Sequence, residues 1–546
     1  MKITLKALSL FLLSVLLLLS ISSCSAQNTN SQTQPDTDTS TEEDEQLIVN
    51  PPEYYDEPQY SLPDGRPTIT ARIGKKDFGG QEIRFIATGA VWEEDKGSLQ
   101  TRSIALMPLD DTSYAVNQAV IMRNKQVENE LNVKIKLEYT VDNGALTDHL
   151  TPIFASKVHT YDVVVGCQYY DIGLNLGDNN SALVDLNSLD REDNYIHLDS
   201  SYPYYSYWDK TTYESVSYMD KAYWLTGDIS LSWVGGMAVS FVNKSLWDQY
   251  TEVISEHTDG ITDLYELVEK KMWTLGLISD ISKDIWVDKN SNETVDYGDV
   301  VGFISYKNTL NCVMTDVLAA GAGITYSKLN AEGIPEISFY NQRTSAFATK
   351  LVNLYTKSNA LLVDWDDEKY VVEMFAEGNV LFTPNYLHRA ESSLREMTDT
   401  YLVLPPPLLI KGDNYSTCLG DSVSQYGIPS TTLKDGDLAA TTATLEAMAF
   451  YSNQMVTPVY YDKMLKGRFT HVSSGDKQAE MISLIRHSNF ADFAMIWSNQ
   501  LGNVTWFFRS NCMSNKLAQN VKGQESGWRT SLTSLLEDIE SSLWVE

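Results

Sequence analysis

Oxygen-bearing side chains recur between Asp288 and Asp299 at the spacing of a calcium-binding EF-hand loop. Such a loop takes its ligands from positions 1, 3, 5, 7, 9 and 12, with a backbone carbonyl at position 7. In this chain those positions are Asp288, Asn290, Asn292, Thr294, Asp296 and Asp299. The chemistry they could perform is the structural binding of Ca²⁺.

The loop departs from that pattern at position 6, where Glu293 replaces the usual glycine, and it ends in Asp rather than Glu. A glutamate in a left-handed conformation is sterically strained. Two interpretations stay open: weak calcium binding, which would suffice outside the cell, or a decayed loop that folds without metal. No cofactor is required by either.

Aromatic residues form the second group with chemical potential. The chain has 31 Tyr, 12 Trp and 16 Phe, and many Tyr and Trp fall in short polar clusters such as Tyr169-Tyr170 and Tyr223-Trp224. Amphipathic rings of this kind suit a wet binding surface.

Strands and helices alternate in the first half. We expect strands at Glu82–Thr88, 133–139 and Tyr161–Gly166, with helices at Tyr114–Leu131 and Leu146–Ser156 between them. This pattern predicts βαβ units in an open α/β sheet, whose ligands bind beyond the carboxyl ends of the strands. Trp92 and Tyr169-Tyr170 follow such ends.

The second half continues in mixed α/β style and becomes mainly helical towards its end. The expected strands are Met237–Val242, 380–383 and Tyr401–Leu404. The expected helices are Leu264–Leu275, Ala346–Tyr355, Tyr370–Glu377, Leu438–Tyr451, Gln478–His487 and Ser531–Leu543.

The N-terminus has the pattern of an export signal. Lys2 and Lys6 precede an apolar run from Leu8 to Ile21, which is too short to span a bilayer comfortably. The junction Ile-Ser-Ser-Cys resembles a lipobox, so residues 1–23 are predicted as the signal peptide and Cys24 as the lipidation site. An ordinary signal peptide with a chance cysteine is the alternative. Residues 24–60 are predicted to be a disordered polar tether.

Composition narrows the partners. The formal charge is −32, and removal of residues 1–23 takes away two lysines and no acids. So acidic a chain would repel phosphate backbones, so no nucleic-acid partner is expected. Beyond Cys24, the four cysteines lack the CxxC spacing of a zinc site, and either disulfides or isolated thiols remain open.

Several segments, taken in order from about Gly80 onward, resemble the extracellular solute-binding proteins of ABC importers, family 1 (sugar-binding type). They are YDVVVGCQYYD, ALVDLNSL, KAYWLTGDISLSW followed by MAVSFVNKSLWDQY, MFAEGNVLFT, YLVLPPP, YGIPSTT, PVYYDKMLKGRFT and MISLI. An Asn-Lys pair in the fourth of these opens a helix in that family. Calcium-type loops also occur among its members.

The resemblance implies a two-lobed, periplasmic-binding-protein-like (type II) α/β fold with a hinge and an interlobe cleft. Lobe 1 would comprise residues 68–237 plus about 420–470, and lobe 2 about 238–419 plus 471–546. It also implies a monomeric lipoprotein on the outer face of the bacterial cell membrane. That protein would capture a carbohydrate, expected to be an oligosaccharide, and deliver it to ABC permease subunits.

A carbohydrate site needs flat aromatic platforms and planar hydrogen-bonding side chains. The candidates are Trp92, Tyr169, Tyr170, Asp228, Trp233, Asn385, Tyr386 and Trp497. For each one alone, core packing or surface exposure is the competing interpretation.

Two other classes of protein stay open. A glycosidase could use acids such as Asp364 and Glu368, although adjacent acids on a short polar segment more often start a solvated helix. The sequence has no HExxH, GxSxG or Walker A motif, and we expect no enzyme. A surface glycan-capture protein that serves no transporter is the third class.

Overall fold

The computed structural model describes most of the chain beyond the predicted tether. The described residues are 68–88, 105–106, 115–140, 145–176, 181–189, 192–198, 207–307, 313–364, 368–390, 393–394, 397–461 and 475–541. The predictions for Cys24, the tether and Trp92 lie outside them. The fold is mixed α/β, with open sheets, as the alternation of strands and helices predicted.

A four-stranded sheet is built mainly from the first half of the chain. Its strands are β1 (Gln81–Thr88), β2 (Val133–Thr140), β3 (Val163–Cys167) and β12 (Ser424–Gly427). β1 pairs in parallel with both β2 and β3, and β12 runs antiparallel to β3. Every residue of β3 is buried, which is expected of a strand in a sheet covered on both faces.

A second sheet is built from the middle of the chain. Its strands are β4 (Ala238–Asn243), β5 (Trp286–Val287), β6 (Val300–Tyr306), β9 (Leu361–Val363), β10 (Val380–Tyr386) and β11 (Tyr401–Leu404). β6 pairs in parallel with both β9 and β10, and β4 runs antiparallel to β10 and β11. A separate hairpin joins β7 (Ser327–Leu329) to β8 (Pro335–Ile337).

The two sheets share one pattern. In each, the first parallel strand pairs with the second and third, and the third then pairs with an antiparallel strand that follows a passage between the sheets. The chain leaves the first sheet after β3 and returns at β12. It leaves again after a helix that packs on β1, because the helix Gly475–His487 packs against β11 of the second sheet.

Helices cover the sheets and dominate the C-terminal part. Those of five or more residues are Ile69–Ile73, Ala115–Leu131, Ala145–Ser156, Lys210–Val216, Leu231–Gly235, Lys244–Gln249, Thr251–His257, Leu264–Glu269, Leu275–Lys283, Val313–Gly321, Gln342–Lys357, Glu368–Ala376, Thr431–Asp435, Leu438–Tyr451, Thr457–Tyr461, Gly475–His487, Val504–Asn511 and Leu517–Ser541. No helix in the described part of the chain is long and apolar enough to cross a bilayer.

Most predicted elements are confirmed within a few residues, with two differences. The single helix expected over Leu264–Leu275 is broken, because Lys271 adopts a left-handed conformation and Thr274 caps a new helix by accepting from the Leu277 amide at 3.1 Å. The helix expected over Ser531–Leu543 begins fourteen residues earlier, at Leu517. The predicted Asn-Lys helix start is confirmed, since Asn243 accepts from the Leu246 amide at 3.0 Å.

Candidate ligand-binding site

A short turn after β3 places two of the predicted aromatic residues between the sheets. Asp171 fixes this turn by accepting hydrogen bonds from the Cys167 amide at 2.7 Å and from the Thr88 hydroxyl at 3.1 Å. Gly166 permits the close approach, because a Cβ there would lie 2.7 Å from the Asp171 side chain. The carboxyl ends of β1 and β3 are thus joined, and the next residues project beyond them.

Tyr169 and Tyr170 differ in accessibility. The Tyr169 ring is buried and stacks on Trp506, with centroids 4.6 Å apart and planes 4° from parallel. Its hydroxyl donates to Asn503 at 2.6 Å, and burial, with nearby Asp421, raises its pKa. Tyr170 meets Tyr169 edge-on and is 43% exposed. Of this pair, only Tyr170 offers an open surface to a ligand.

A cavity of about 30 Å³ lies beside Tyr169. Its walls come from the turn after β3, the helix Val313–Gly321 that follows β6, the segment Cys418–Asp421 before β12, and C-terminal helices. Carboxyl ends of parallel strands from both sheets therefore meet here, which is where open α/β sheets bind ligands. The volume suffices for one or two water molecules and is too small for a sugar ring.

A buried arginine crosses the wall of this cavity. Arg509 donates to Asp316 at 2.7 Å and to Asp421 at 2.9 Å. Although burial opposes its charge, these two carboxylates hold the pKa of Arg509 well above its ordinary value. Burial outweighs the arginine at Asp316 and raises the pKa of that carboxyl.

Asp228 and Trp233 belong to a second polar cluster. Both are buried, and Arg486 donates to the two Asp228 oxygens at 2.7 and 2.8 Å while lying over the Trp233 ring at 4.9 Å. Asn453 donates to the same carboxylate at 2.9 Å from a π-helical turn. Such turns occur frequently at functional sites.

The remaining candidates are in more enclosed surroundings. Asn385 and Tyr386 are buried at the carboxyl end of β10, where the Asn385 carbonyl oxygen accepts from the Tyr386 amide at 2.9 Å. The Tyr386 ring lies against Gly420 in the segment that leads back to the first sheet. Trp497 is buried and stacks on Phe493 at 5.9 Å, so it packs in the core.

Sequence reasoning missed the charged partners of these residues. Arg486 lies in a helix of ordinary amphipathic pattern, so nothing in the sequence separates it from a solvated residue. Arg509 carries a weak signal, because it follows Trp506 and two phenylalanines in a short helix. A cation among aromatic residues often has a buried or stacked role.

The loop Asp288–Asp299 connects β5 to β6 and has part of the expected geometry. Asp288 accepts from the backbone amides of Ser291 at 2.6 Å and Glu293 at 2.7 Å. Glu293 has φ 62°, the left-handed conformation for which the pattern prefers glycine. Its side chain is therefore strained in the way that the sequence predicted.

The last ligand position of the loop already has protein partners. Asp299 is buried and accepts from the Trp286 indole at 3.0 Å and from the Lys289 amide at 3.0 Å. Burial opposes its charge, but these bonds lower its pKa overall. Among the described residues, no group of three His, Cys, Asp or Glu side chains is placed to hold a metal ion. Calcium binding by this loop stays a prediction.

Calcium is expected to raise the free energy of unfolding by about 1.4 kcal/mol at ten times its Kd, since binding to the folded state stabilises by mass action. Thermal unfolding in EDTA, in millimolar Ca²⁺ and in millimolar Mg²⁺ measures this. Asp296→Asn, which removes an exposed loop carboxylate, should abolish the response. Equal melting temperatures in Ca²⁺ and EDTA would leave the loop as a metal-free turn.

Three of the cysteines left open by the sequence have free thiols. Cys167, Cys418 and Cys512 are buried and unbridged, and Cys312 lies outside the described residues. Burial raises the pKa of the Cys418 thiol, which lines the cavity, so this sulfur is a poor nucleophile.

No family model and no curated protein matches this chain. Its function is therefore argued from the arrangement of its own residues.

Proposed function

We propose that the chain is an extracytoplasmic solute-binding lipoprotein that captures a carbohydrate between two lobes and delivers it to an ABC importer. The main support is the repeated sheet pattern: two open sheets with equivalent strand pairing, joined by three passages of the chain. Aromatic and charged side chains gather where the strand ends of the two sheets meet. This arrangement suits a receptor in which two lobes close on a ligand in a type II fold.

The proposed lobes follow the membership of the sheets. Lobe 1 takes residues 68–237 and about 420–470, which include β1–β3, β12 and the helix Leu438–Tyr451 that packs on β1. Lobe 2 takes about 238–419 and 471–546, which include β4–β11. Residues 462–474, where the third passage falls, lie outside the described part.

The small cavity implies that a ligand must enter through movement. A volume of about 30 Å³ does not admit a sugar ring, so the arrangement corresponds to a closed state without room for a whole ligand. Ligand-driven closure requires the sugar to bind the closed state more tightly than the open one. Opening would separate Tyr169 from Trp506 and expose both rings.

The lipid on Cys24 and the polar segment after it would keep this receptor at the outer face of the membrane, near the permease subunits. Several acyl chains anchor a protein stably, because each buried CH₂ contributes about 0.8 kcal/mol. We propose a binding protein rather than an enzyme, acting as a monomer and without nucleic acid.

Thermal unfolding of the purified protein against a library of oligosaccharides tests the function. A bound sugar at 100 times its Kd is expected to raise the free energy of unfolding by about 2.7 kcal/mol. A response to peptides alone would contradict the ligand class. Hydrolysis products would indicate a glycosidase instead, and binding without adjacent permease genes would favour a stand-alone glycan-capture protein.

A further inference from the structure

Two buried polar atoms that belong to the cavity wall have no partner among the described residues. They are Oδ1 of Asp316 and the hydroxyl of Tyr326. Tyr326 is only 3% exposed, and the Asp316 side chain is 13% exposed. An unpartnered buried acceptor and an unpartnered buried hydroxyl cost free energy until something hydrogen-bonds to them. The cavity is therefore prepared for a small polar group.

The charge around the cavity determines which polar group fits. Arg509 faces two carboxylates, Asp316 and Asp421, so the three groups carry a net negative charge when ionised. The raised pKa of Asp316 shows that negative charge is already unfavourable at this position. A further anion would be repelled here, whereas a group that donates hydrogen bonds would be stabilised.

The size and the walls define that group further. A cavity of about 30 Å³ holds about two water-sized groups, that is, two non-hydrogen atoms. Part of the wall is apolar and is formed by Ala319, Ala320 and Ile324. One carbon against this apolar wall and one donor atom near Asp316 match the space.

We propose that this cavity is a subsite for a hydroxymethyl or aminomethyl arm of the carbohydrate and rejects a carboxylate at the same position. This inference rests on the proposed function. It restricts the ligand to neutral hexose units, or to units with an amino group on that arm, and excludes pentose and uronate units at the subsite.

Matched β-1,4-linked tetrasaccharides test the arm directly. Cellotetraose and xylotetraose share one backbone and differ by the hydroxymethyl arm, and mannotetraose and tetramannuronate differ by its oxidation to a carboxylate. Methyl glucoside and its 6-amino-6-deoxy derivative separate a hydroxyl from an ammonium donor. Calorimetric titration is expected to show at least tenfold weaker binding of the armless or carboxylate member of each pair that binds.

A tyrosine variant places the arm at this cavity. Tyr326→Phe removes only an unpartnered hydroxyl, so the ligand-free melting temperature should not fall. Affinity for sugars with the arm should drop about threefold to tenfold, the value of one hydrogen bond, and affinity for xylotetraose should not change. Tyr415→Phe is the matched control, since its hydroxyl donates to the Val268 carbonyl at 3.0 Å away from the cavity.

Each outcome bears on a different claim. Equal or tighter binding of xylotetraose or tetramannuronate, or a Tyr326→Phe variant with unchanged affinity for every sugar, would overturn the subsite while the carbohydrate function stands. Absence of binding by any carbohydrate would overturn both.

Discussion

Replacement of Glu446 by glutamine is expected to lower the free energy of unfolding by about 3–5 kcal/mol, the usual cost of breaking a buried ion pair from one side. Glu446 is fully buried and forms an ion pair with Arg72. It also accepts from the Trp208 indole at 2.8 Å and from the His197 amide at 3.2 Å. One carboxylate therefore joins three separate segments of the chain to a central helix.

The physical reason lies in the helix that carries Glu446. Every residue from Ala440 to Tyr451 is buried, so water cannot solvate a guanidinium that loses its partner. Glutamine keeps the shape and can still accept from the indole, which isolates the loss of charge. Arg72 also lies over the Tyr207 ring at 4.9 Å, so it cannot move away without losing that contact.

Urea denaturation of the wild type, Glu446→Gln, Arg72→Met and the double variant measures the pair. The double variant should recover part of the loss, because neither charge is then buried alone. Glu525→Gln is the matched control on an exposed helix face and should change stability by less than about 0.5 kcal/mol. A Glu446→Gln effect as small as that of the control would contradict the assignment.

Much of the fold could be predicted because burial leaves a pattern in the sequence. The apolar run that forms β3 indicated a strand covered on both faces, and the spacing through Val116, Val120 and Val127 indicated one buried helix face. The break after Glu269 could not be predicted with the same ease. It depends on a left-handed Lys271, a conformation that lysine does not signal.

The pairing of site residues could not be predicted, because it is set by the path of the chain. Asp228 and Arg486 are 258 positions apart and meet only when segments associated with different sheets come together. Likewise, two adjacent tyrosines signal a binding surface, but nothing in the sequence shows that Trp506 covers one of them. Residue types therefore indicated the region, and topology decided which surfaces are open.

Replacement of Asp228 by asparagine is expected to cost about 3 kcal/mol. Its carboxylate receives Arg486 at 2.7 Å, Asn453 at 2.9 Å and Thr457 at 3.3 Å. Burial opposes the charge of Arg486, but Asp228 raises its pKa, so loss of the acid leaves a cation in a poorly hydrated place. About a quarter of the Arg486 side chain is exposed, which puts the effect at the low end for a buried pair.

The cluster also joins elements associated with different sheets, so its loss should change how the protein unfolds. Asn453 and Thr457 continue the helix that packs on β1, and Arg486 lies in the helix that packs on β11. Without the tie, far-UV circular dichroism and tryptophan fluorescence should report separate transitions in urea, because each part then unfolds more independently. Asp248→Asn, in an exposed pair with Lys244, is the control and should cost about 0.3–0.5 kcal/mol with coincident transitions. Coincident transitions and a loss below about 1 kcal/mol in Asp228→Asn would mean that the two sheets are held together by apolar packing instead.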